Sequence, residues 1–257
     1  MDLLIIGPGR AGGSIARAAV AAGHRLVGVL SRSPTDLEPV LSWDAPLPSA
    51  SLGIVAVTDS AIHEVAERLA PVWPADTPVA HLSGFRSVRA LDPIGAVPAG
   101  SFHPLQTLPD PEHGADALRG AWAAITADEP LASLLERFAD DLGMHPFHLE
   151  DEAKPAYHAA AAAGANYVVE SLAVAFDLLA AANVPFQVLE PLTRRVVENV
   201  FALGPAESLT GPIARGDLET VTGQMQAAAA ISESLGRQFR LLAEATAVRA
   251  GVRLDFS

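Results

Sequence analysis

The chain has 257 residues, of which 50% are hydrophobic, and it contains no cysteine. The formal net charge of −13 argues against nucleic-acid and membrane-surface partners, because an acidic chain repels phosphate backbones and anionic lipids. The lack of cysteine excludes disulfides, thiolate catalysis and cysteine-bound metal clusters.

Short apolar strands alternate with helices over the first 150 residues. Strands are predicted at 3–6, 25–31, 52–57, 77–83, 96–104, 120–127 and 144–150, and helices at 14–22, 60–69 and 131–143. Such alternation is typical of a parallel sheet covered by helices on both faces. The remainder has helical spacing of apolar residues and no strand pattern.

We therefore predict an α/β protein with two domains. Residues 1–150 form a doubly wound, dinucleotide-binding Rossmann domain, and residues 151–257 form an all-helical domain for substrate binding and dimerisation. The alanine-rich helices expose more apolar surface than one chain can cover, so we expect a homodimer. No stretch has the length and composition of a membrane span or of a signal peptide, so we expect a cytoplasmic protein.

The stretch GPGRAG lies between the first predicted strand and the first predicted helix. Its glycines satisfy G-x-G-x-x-G, which combines a tight turn, close backbone approach to a pyrophosphate and close packing of helix on strand. The pattern predicts a nucleotide site, and the alternative is a tight turn without a ligand. The candidate residues of this turn are Gly7, Pro8, Gly9, Arg10, Ala11 and Gly12.

The residues after the second strand select the cofactor. NAD-binding domains usually place an acidic residue there to bind the ribose 2′-hydroxyl, whereas this chain has Ser31, Arg32 and Ser33. An arginine flanked by hydroxyls binds a 2′-phosphate through charge-assisted hydrogen bonds, so we predict NADP(H). The alternative is that Arg32 is a solvated loop residue.

Polar residues also follow the next two strands. Thr58 and Asp59 follow the third strand and Ser83 follows the fourth, where they would lie along the cofactor. For Asp59 we favour a cap on the following helix.

Lys154 is the only lysine among 17 basic residues. Lysine can lose a proton near neutral pH and arginine cannot, so Lys154 is a candidate proton donor; the alternative is a leftover surface lysine. Pro155 marks a helix start, which places His158 on the same face as Lys154 and Asn166 obliquely. A helix N-terminus lowers the pKa of a nearby lysine and the acidic pair 151–152 raises it, and the sequence leaves that balance open.

Further candidates concern the substrate. His103 ends a predicted strand and either orients a substrate or is a structural histidine. In the segment LTGPIARGD, Thr210 and Arg215 either bind a substrate carboxylate or belong to a helix–helix turn in which Asp217 caps the next helix. The histidines lack ligand spacing with acidic residues, so we predict no metal.

The segments GPGRAG, HLSG, SFHPLQTL, K-x-x-Y-H-A-A-A and LTGPIARGD together resemble a bacterial family with a Rossmann-like domain and a helical C-terminal domain of formerly unknown function. That family is similar to ketopantoate reductases, pyrroline-carboxylate reductases and the phosphogluconate dehydrogenase superfamily. In the superfamily, a lysine opening the first helix after the Rossmann domain polarises or protonates the substrate carbonyl, and asparagine follows four residues later. Lys154 matches that lysine, whereas His158 stands at the asparagine position, which puts the substrate in doubt.

The residues and the resemblance together predict an NADPH-dependent reductase of a small 2-keto acid, with ketopantoate as the best single candidate. Lys154 would supply the proton or stabilise the developing alkoxide, His158 and Asn166 would orient the carbonyl or the lysine, and Arg215 would bind the carboxylate. The alternatives are a cyclic imine or a prephenate-like acid as substrate, a deazaflavin-linked reaction, and an NADP-binding sensor without turnover.

Overall fold

The structure is a computed structural model, and it describes residues 1–253. The chain divides into two compact units, Met1–Ala162 and a second unit that begins at Ala163. The domain boundary was predicted after Glu150. In the structure, the helix that starts at Lys154 continues past the division, so its first turns belong to the first unit.

The first unit is built on a seven-stranded sheet. Its strands are β1 (Asp2–Ile6), β2 (Arg25–Leu30), β3 (Leu52–Val55), β4 (Val79–His81), β5 (Ala99–Leu105), β6 (Trp122–Ala127) and β7 (His145–His148). The spatial order is β2-β1-β3-β4-β5-β6-β7, and every pair is parallel except β5–β6. Because β1 lies between β2 and β3, the winding direction reverses at β1, and a ligand crevice is expected at the carboxyl ends of β1 and β3.

Helices cover both faces of this sheet. They are α1 (Arg10–Ala21), α2 (Ile62–Leu69), α3 (Pro111–Ala117), α4 (Leu131–Asp141) and the start of α5 (Lys154–Ala181). Short 3-10 helices cover Asp59–Ala61, Ala70–Val72, Val88–Ile94 and Asp151–Ala153. The doubly wound α/β fold that the alternation predicts is confirmed, and α3 is an addition to it.

The unbroken apolar run of β1 reflects burial on both faces of the sheet. Leu3 and Ile5 pack with Ile15 of α1 in one core cluster. Leu4 and Ile6 pack with the residues of α2 in another. These four apolar side chains of β1 are fully buried, whereas Asp2 at its start is not.

The second unit is helical, as predicted. It contains the rest of α5 together with α6 (Glu190–Leu203), α7 (Pro212–Arg215), α8 (Leu218–Ile231) and α9 (Glu233–Ala250). Val174, Ala228 and Leu235 form a buried cluster, with Leu178 and Phe239 packed against it. The other described buried hydrophobic residues of this unit are Val221, Met225, Ala243 and Ala247.

One helix among the described residues, Asp151–Ala181, is long and apolar enough to cross a membrane by length and composition alone. No membrane span is predicted from the sequence. Length and apolar composition alone do not identify a membrane span, because helices in the cores of soluble proteins share both properties. Only 6% of its apolar window is buried in the structure, so most of this helix presents apolar side chains at the surface.

Candidate active site

The glycine turn is tightly packed at Gly7 and Gly12 and open at Gly9. Gly7 has φ +88°, and a Cβ there would lie 2.9 Å from the carbonyl oxygen of Ala56. A Cβ on Gly12 would lie 2.3 Å from the carbonyl oxygen of Gly7, whereas one on Gly9 would meet no atom within 4 Å. Space for a ligand therefore lies over Gly9.

The first turn of α1 can receive an anion. The helix begins at Arg10, earlier than predicted, and its N-cap Gly9 provides no side-chain hydrogen bond. Three or four backbone N–H groups at a helix start lack intrahelical partners, and the helix dipole adds partial positive charge. A pyrophosphate fits this site, because backbone donors and open space coincide over Gly9.

A groove of about 330 Å³ extends from the turn along the ends of β2 and β3 to α2. It is lined by seven of the predicted cofactor residues: the turn residues Gly7, Pro8 and Gly9, the loop residues Ser31, Arg32 and Ser33, and Thr58 after β3. Arg10, Ala11 and Gly12 lie in α1, next to the groove in sequence. Trp43, Glu64 and Arg68 line it as well and were not predicted.

Ser31 shapes the loop that carries Arg32. Its hydroxyl donates to the carbonyl oxygen of Ser33 at 2.6 Å and accepts from the Ser33 amide at 3.2 Å. This local turn is typical of serine and leaves Arg32 exposed at the loop. Arg32 is therefore the charged group that the groove presents at the end of β2.

The predicted helix cap by Asp59 is wrong. Neither the 3-10 helix at Asp59–Ala61 nor α2 has a side-chain cap, and the Asp59 carboxylate instead accepts a 2.7 Å hydrogen bond from the Ser83 hydroxyl. That hydroxyl also accepts from the amides of Phe85 and Arg86. The hydrogen bond between Asp59 and Ser83 thus joins the loops that follow β3 and β4. Asp59 does not cap a helix because its carboxylate binds this tertiary partner instead.

Lys154 is fully buried at the carboxyl edge of the sheet. Its ammonium donates to the carbonyl oxygen of Ser83 at 3.0 Å and to the hydroxyl of Ser101, in β5, at 2.5 Å. Burial lowers the pKa of Lys154 to about 8, against the opposing effects of Asp151 and Asp59. The pKa of Lys154 is therefore lowered, and the cause is burial, which the sequence did not show, and not the helix N-terminus that was weighed against the acidic pair. Lys154 is not a surface lysine.

Aromatic side chains gather beside Lys154. His103 Nδ1 and the Tyr157 hydroxyl share a 2.8 Å hydrogen bond, and the His158 ring lies 6.1 Å from that of His103 and 6.0 Å from that of Phe85. Burial, with smaller contributions from His158 and Lys154, lowers the pKa of His103 to about 4. Burial raises the pKa of Tyr157 to about 12, so both groups are neutral at pH 7.

A second buried histidine, His81, forms hydrogen bonds within the loop after β4. His81 Nδ1 accepts from the amide of Ser83 at 3.1 Å, which leaves Nε2 to donate to the carbonyl oxygen of Ser87 at 3.3 Å. Asp151 accepts from the Ser87 hydroxyl at 2.5 Å and from the Val88 amide at 3.0 Å. These bonds tie the loop after β4 to the helix start that carries Lys154.

The remaining candidates belong to the second unit. Asn166 lies on α5 beyond the division, Thr210 precedes α7 and Arg215 ends α7, and all three are exposed. Asp217 caps α8 through the amide of Thr220, as the alternative interpretation of this segment predicted. Within residues 1–253 no group of three potential metal ligands was found, and the expectation of no metal stays a prediction.

Comparisons with known proteins establish the fold. A family model described as a domain of unknown function, DUF2520, matches residues 121–246. A Bacteroides fragilis protein assigned as an NADP oxidoreductase is 24% identical, with a TM-score of 0.83 over 96% of this chain and 98% of that one. No protein of curated function matches the sequence.

Two further structures are similar at lower identity. A reductive aminase from Aspergillus terreus, in complex with NADPH and ethyl levulinate, is 18% identical, with a TM-score of 0.69 over 97% of this chain and 94% of that one. The pyrroline carboxylate reductase of Plasmodium falciparum, with NADP bound, is 12% identical, with a TM-score of 0.63 over 97% and 99%. At these identities the similarity shows a common fold, a Rossmann-like unit followed by a helical unit.

Proposed function

We propose that this protein is an NADPH-dependent reductase of a small 2-keto acid, with ketopantoate as the preferred candidate substrate. The observation that carries the proposal is the groove at the reversal point of the sheet, which joins the uncapped start of α1 to the loop that bears Arg32. Lys154 and His103 lie by the ends of β4 and β5. Parallel strands present their carboxyl ends at one edge, which is where ligands bind in such sheets.

Residues 7–12 would hold the pyrophosphate of the cofactor, and Arg32 would bind the 2′-phosphate. NADP(H) is favoured over NAD(H) because no acidic residue follows β2 directly, and an acidic residue there would repel a phosphate. The NADP- and NADPH-bound structures of similar fold support the same choice. When bound, the reduced nicotinamide supplies the hydride.

Lys154 would supply the proton. Reduction of a carbonyl leaves negative charge on its oxygen, which a nearby acid neutralises. A lysine with a pKa of about 8 is mostly protonated at pH 7 and still able to release its proton. The ammonium donates to the hydroxyl of Ser101, and that hydroxyl can in turn donate, so we assign the proton a path through Ser101.

His103 would orient the substrate. With Tyr157 donating to Nδ1, the neutral imidazole carries its proton on Nε2 and can donate to a carbonyl or carboxylate oxygen. The His158 ring lies edge-on to the His103 ring and would complete this wall of the site. Asn166 as an orienting group, and Thr210 and Arg215 as carboxylate ligands, stay proposals that come from the sequence.

A cyclic imine is the second candidate substrate. Two of the similar structures are a pyrroline carboxylate reductase and a reductive aminase, whose names refer to C=N chemistry. A proton donor and a neutral imidazole serve a C=N bond as well as a C=O bond. A prephenate-like acid remains a further alternative.

We also propose a homodimer formed through the second unit. Phe201 is 89% exposed and many apolar side chains of α5, α6 and α9 are exposed, which is unfavourable in water. Residues 163–253 carry nine acidic and seven basic side chains, so little of the net charge of −13 opposes association there. Exposed ion pairs on α6, such as Arg194–Glu190, favour a protein partner over hydrocarbon.

A cytoplasmic location stays a prediction from the sequence.

A substrate panel tests the function. NADPH is offered with ketopantoate, other 2-keto acids, prephenate and cyclic imines, and loss of the absorbance of reduced nicotinamide is followed. Turnover with a keto acid supports the proposal, and turnover with imines alone favours the second candidate. Binding of NADPH with no turnover on any compound would overturn both and favour the sensor.

A further inference from the structure

The groove has a second guanidinium that the prediction from the sequence did not include. Arg68, on α2, lies with its guanidinium carbon 4.9 Å from the centroid of the Trp43 ring. The Trp43 indole N–H donates to the carbonyl oxygen of Ser31 at 3.1 Å, so the ring is fixed to the end of β2. Arg68 is thereby held beside the loop that carries Arg32, and both arginines line the groove.

Stacking restricts Arg68 before any ligand arrives. A guanidinium over an indole face is stabilised by a cation–π interaction, and its planar fork keeps its N–H donors free at the edge. One of them reaches the Asp44 carboxylate at 3.2 Å, but that side chain is 85% exposed, and such surface pairs contribute little. A ligand anion with more negative charge can therefore replace the Asp44 carboxylate as the partner of Arg68.

The charges in the groove favour a dianion. Of the described residues that line it, Arg32 and Arg68 are basic and Glu64 alone is acidic. A phosphate monoester carries nearly two negative charges at neutral pH, more than a single arginine balances. Two planar forks from two separate elements can bind its three terminal oxygens together.

We propose that Arg68, positioned by Trp43, is a second ligand of the adenosine 2′-phosphate and so determines the preference for NADPH over NADH. This inference rests on the proposed function, since it requires the cofactor to occupy the groove. It assigns Trp43 as a positioning residue that holds Arg68. A different role, stacking of Arg68 on the adenine base, would affect NADPH and NADH equally.

Equilibrium titrations of the full-length protein with NADPH and with NADH separate these roles. For Arg68→Gln we expect the Kd of NADPH to rise about 10- to 100-fold, the effect of losing a charge-assisted hydrogen bond, with the Kd of NADH unchanged. Unchanged NADH binding also shows that the variant is folded. Arg137→Gln, an exposed arginine on α4, is the matched control for the loss of one positive charge.

Two further variants sharpen the test. Trp43→Phe keeps a face for stacking and should retain most of the preference, whereas Trp43→Ala should lose part of it. Asp44→Asn removes the acidic neighbour of Arg68 and should tighten NADPH but not NADH.

The outcomes separate this inference from the function beneath it. If wild type prefers NADPH and Arg68→Gln binds it equally well, or weakens both cofactors alike, the role of Arg68 is refuted and the reductase stands. If wild type binds neither cofactor, the proposed function fails and this inference fails with it.

Discussion

The ammonium of Lys154 donates a 3.0 Å hydrogen bond to the carbonyl oxygen of Ser83, 71 residues earlier in the chain. This bond joins the start of α5 to the loop after β4. Together with the bond to Ser101, it encloses the chain's sole lysine at the carboxyl edge of the sheet. The amine is thus held where parallel sheets present their ligand-binding groups.

Removal of the Lys154 amine should abolish most turnover and spare cofactor binding. For Lys154→Met we expect kcat to fall by about 10² or more, the lower end for general acid–base catalysis. The NADPH groove is lined by other residues, so the Kd of NADPH should not change. Steady-state kinetics and fluorescence titration measure the two quantities. A variant that keeps both wild-type values would remove Lys154 from the mechanism.

The pH dependence of turnover should follow the protonation of the Lys154 amine. Reduction requires protonated Lys154, so kcat for reduction should decline as pH rises through about 8. The reverse oxidation requires the neutral amine and should increase over the same range. Ser101→Ala breaks the proposed proton path, so kcat should fall at every pH. It also removes a hydrogen-bond acceptor that stabilises the charged form of Lys154, so the remaining decline should move to lower pH. A profile that is flat from pH 7 to 10 speaks against this role.

Two alanine substitutions in the glycine turn should have opposite consequences. Gly9→Ala adds a methyl group where no atom lies within 4 Å, so the free energy of unfolding should hardly change while NADPH binding weakens at least tenfold. Gly12→Ala places its methyl 2.3 Å from the carbonyl oxygen of Gly7, so the protein itself should be destabilised. Denaturant unfolding and NADPH titration, run on both variants, test this. Unaltered NADPH affinity in Gly9→Ala would mean that the open space is not the phosphate site.

Acid should destabilise the protein partly through His81. Burial holds the pKa of His81 at about 4, below the value of 6.5 for the ordinary side chain. Between pH 6.5 and 4 the unfolded chain binds more protons at this position, so stability falls on acidification, by up to roughly 3 kcal/mol.

His81→Gln keeps a donor for the carbonyl oxygen of Ser87 and does not titrate in this range. Its free energy of unfolding should therefore fall less than that of wild type between pH 7 and pH 4. Parallel pH profiles of the two proteins, measured by urea unfolding, make the comparison. Profiles that run parallel would show that His81 is not buried in its neutral form.

The apolar surface of the second unit should be covered by a second copy of the chain. We expect wild type to sediment at about twice the chain mass of 26.7 kDa. Phe201→Asp places a charge on a residue that is 89% exposed in the single chain and should shift the protein towards monomer. Val20→Asp, at a 51% exposed residue of the first unit, is the control and should leave the dimer intact. A wild-type monomer in analytical ultracentrifugation would contradict the proposed dimer.

The strands and the glycine turn could be predicted because their signals are local. An apolar run buried on both faces defines β1, and the spacing of glycines defines the turn that follows it. The antiparallel pairing of β5 with β6 has no such local signature. Helix α3 was missed because its segment lacks apolar periodicity, although Asp110 and Pro111 form a recognisable start, with the Asp110 carboxylate accepting from two amides.

The candidate site was predictable where a residue type is rare and unpredictable where partners are distant in sequence. Lys154 stood out as the sole lysine, and its burial agrees with a special role. Tyr157 and Arg68 could not be singled out in this way. Their roles depend on contacts with His103 and Trp43, which only the fold brings near them. The same reasoning explains the error at Asp59, whose partner Ser83 lies 24 residues away.

Transfer of deuterium from NADPH that carries deuterium at both C4 positions of the reduced nicotinamide tests the central claim most directly. Wild type and Lys154→Ala are incubated with the labelled cofactor and the keto acid and imine panel, and the products are analysed by mass spectrometry. We predict deuterium on the carbon of the former C=O or C=N bond with wild type, and transfer slower by about 10² or more with Lys154→Ala at equal NADPH affinity. Label that stays on the bound cofactor with every compound, or that moves at the same rate in both proteins, would contradict this account.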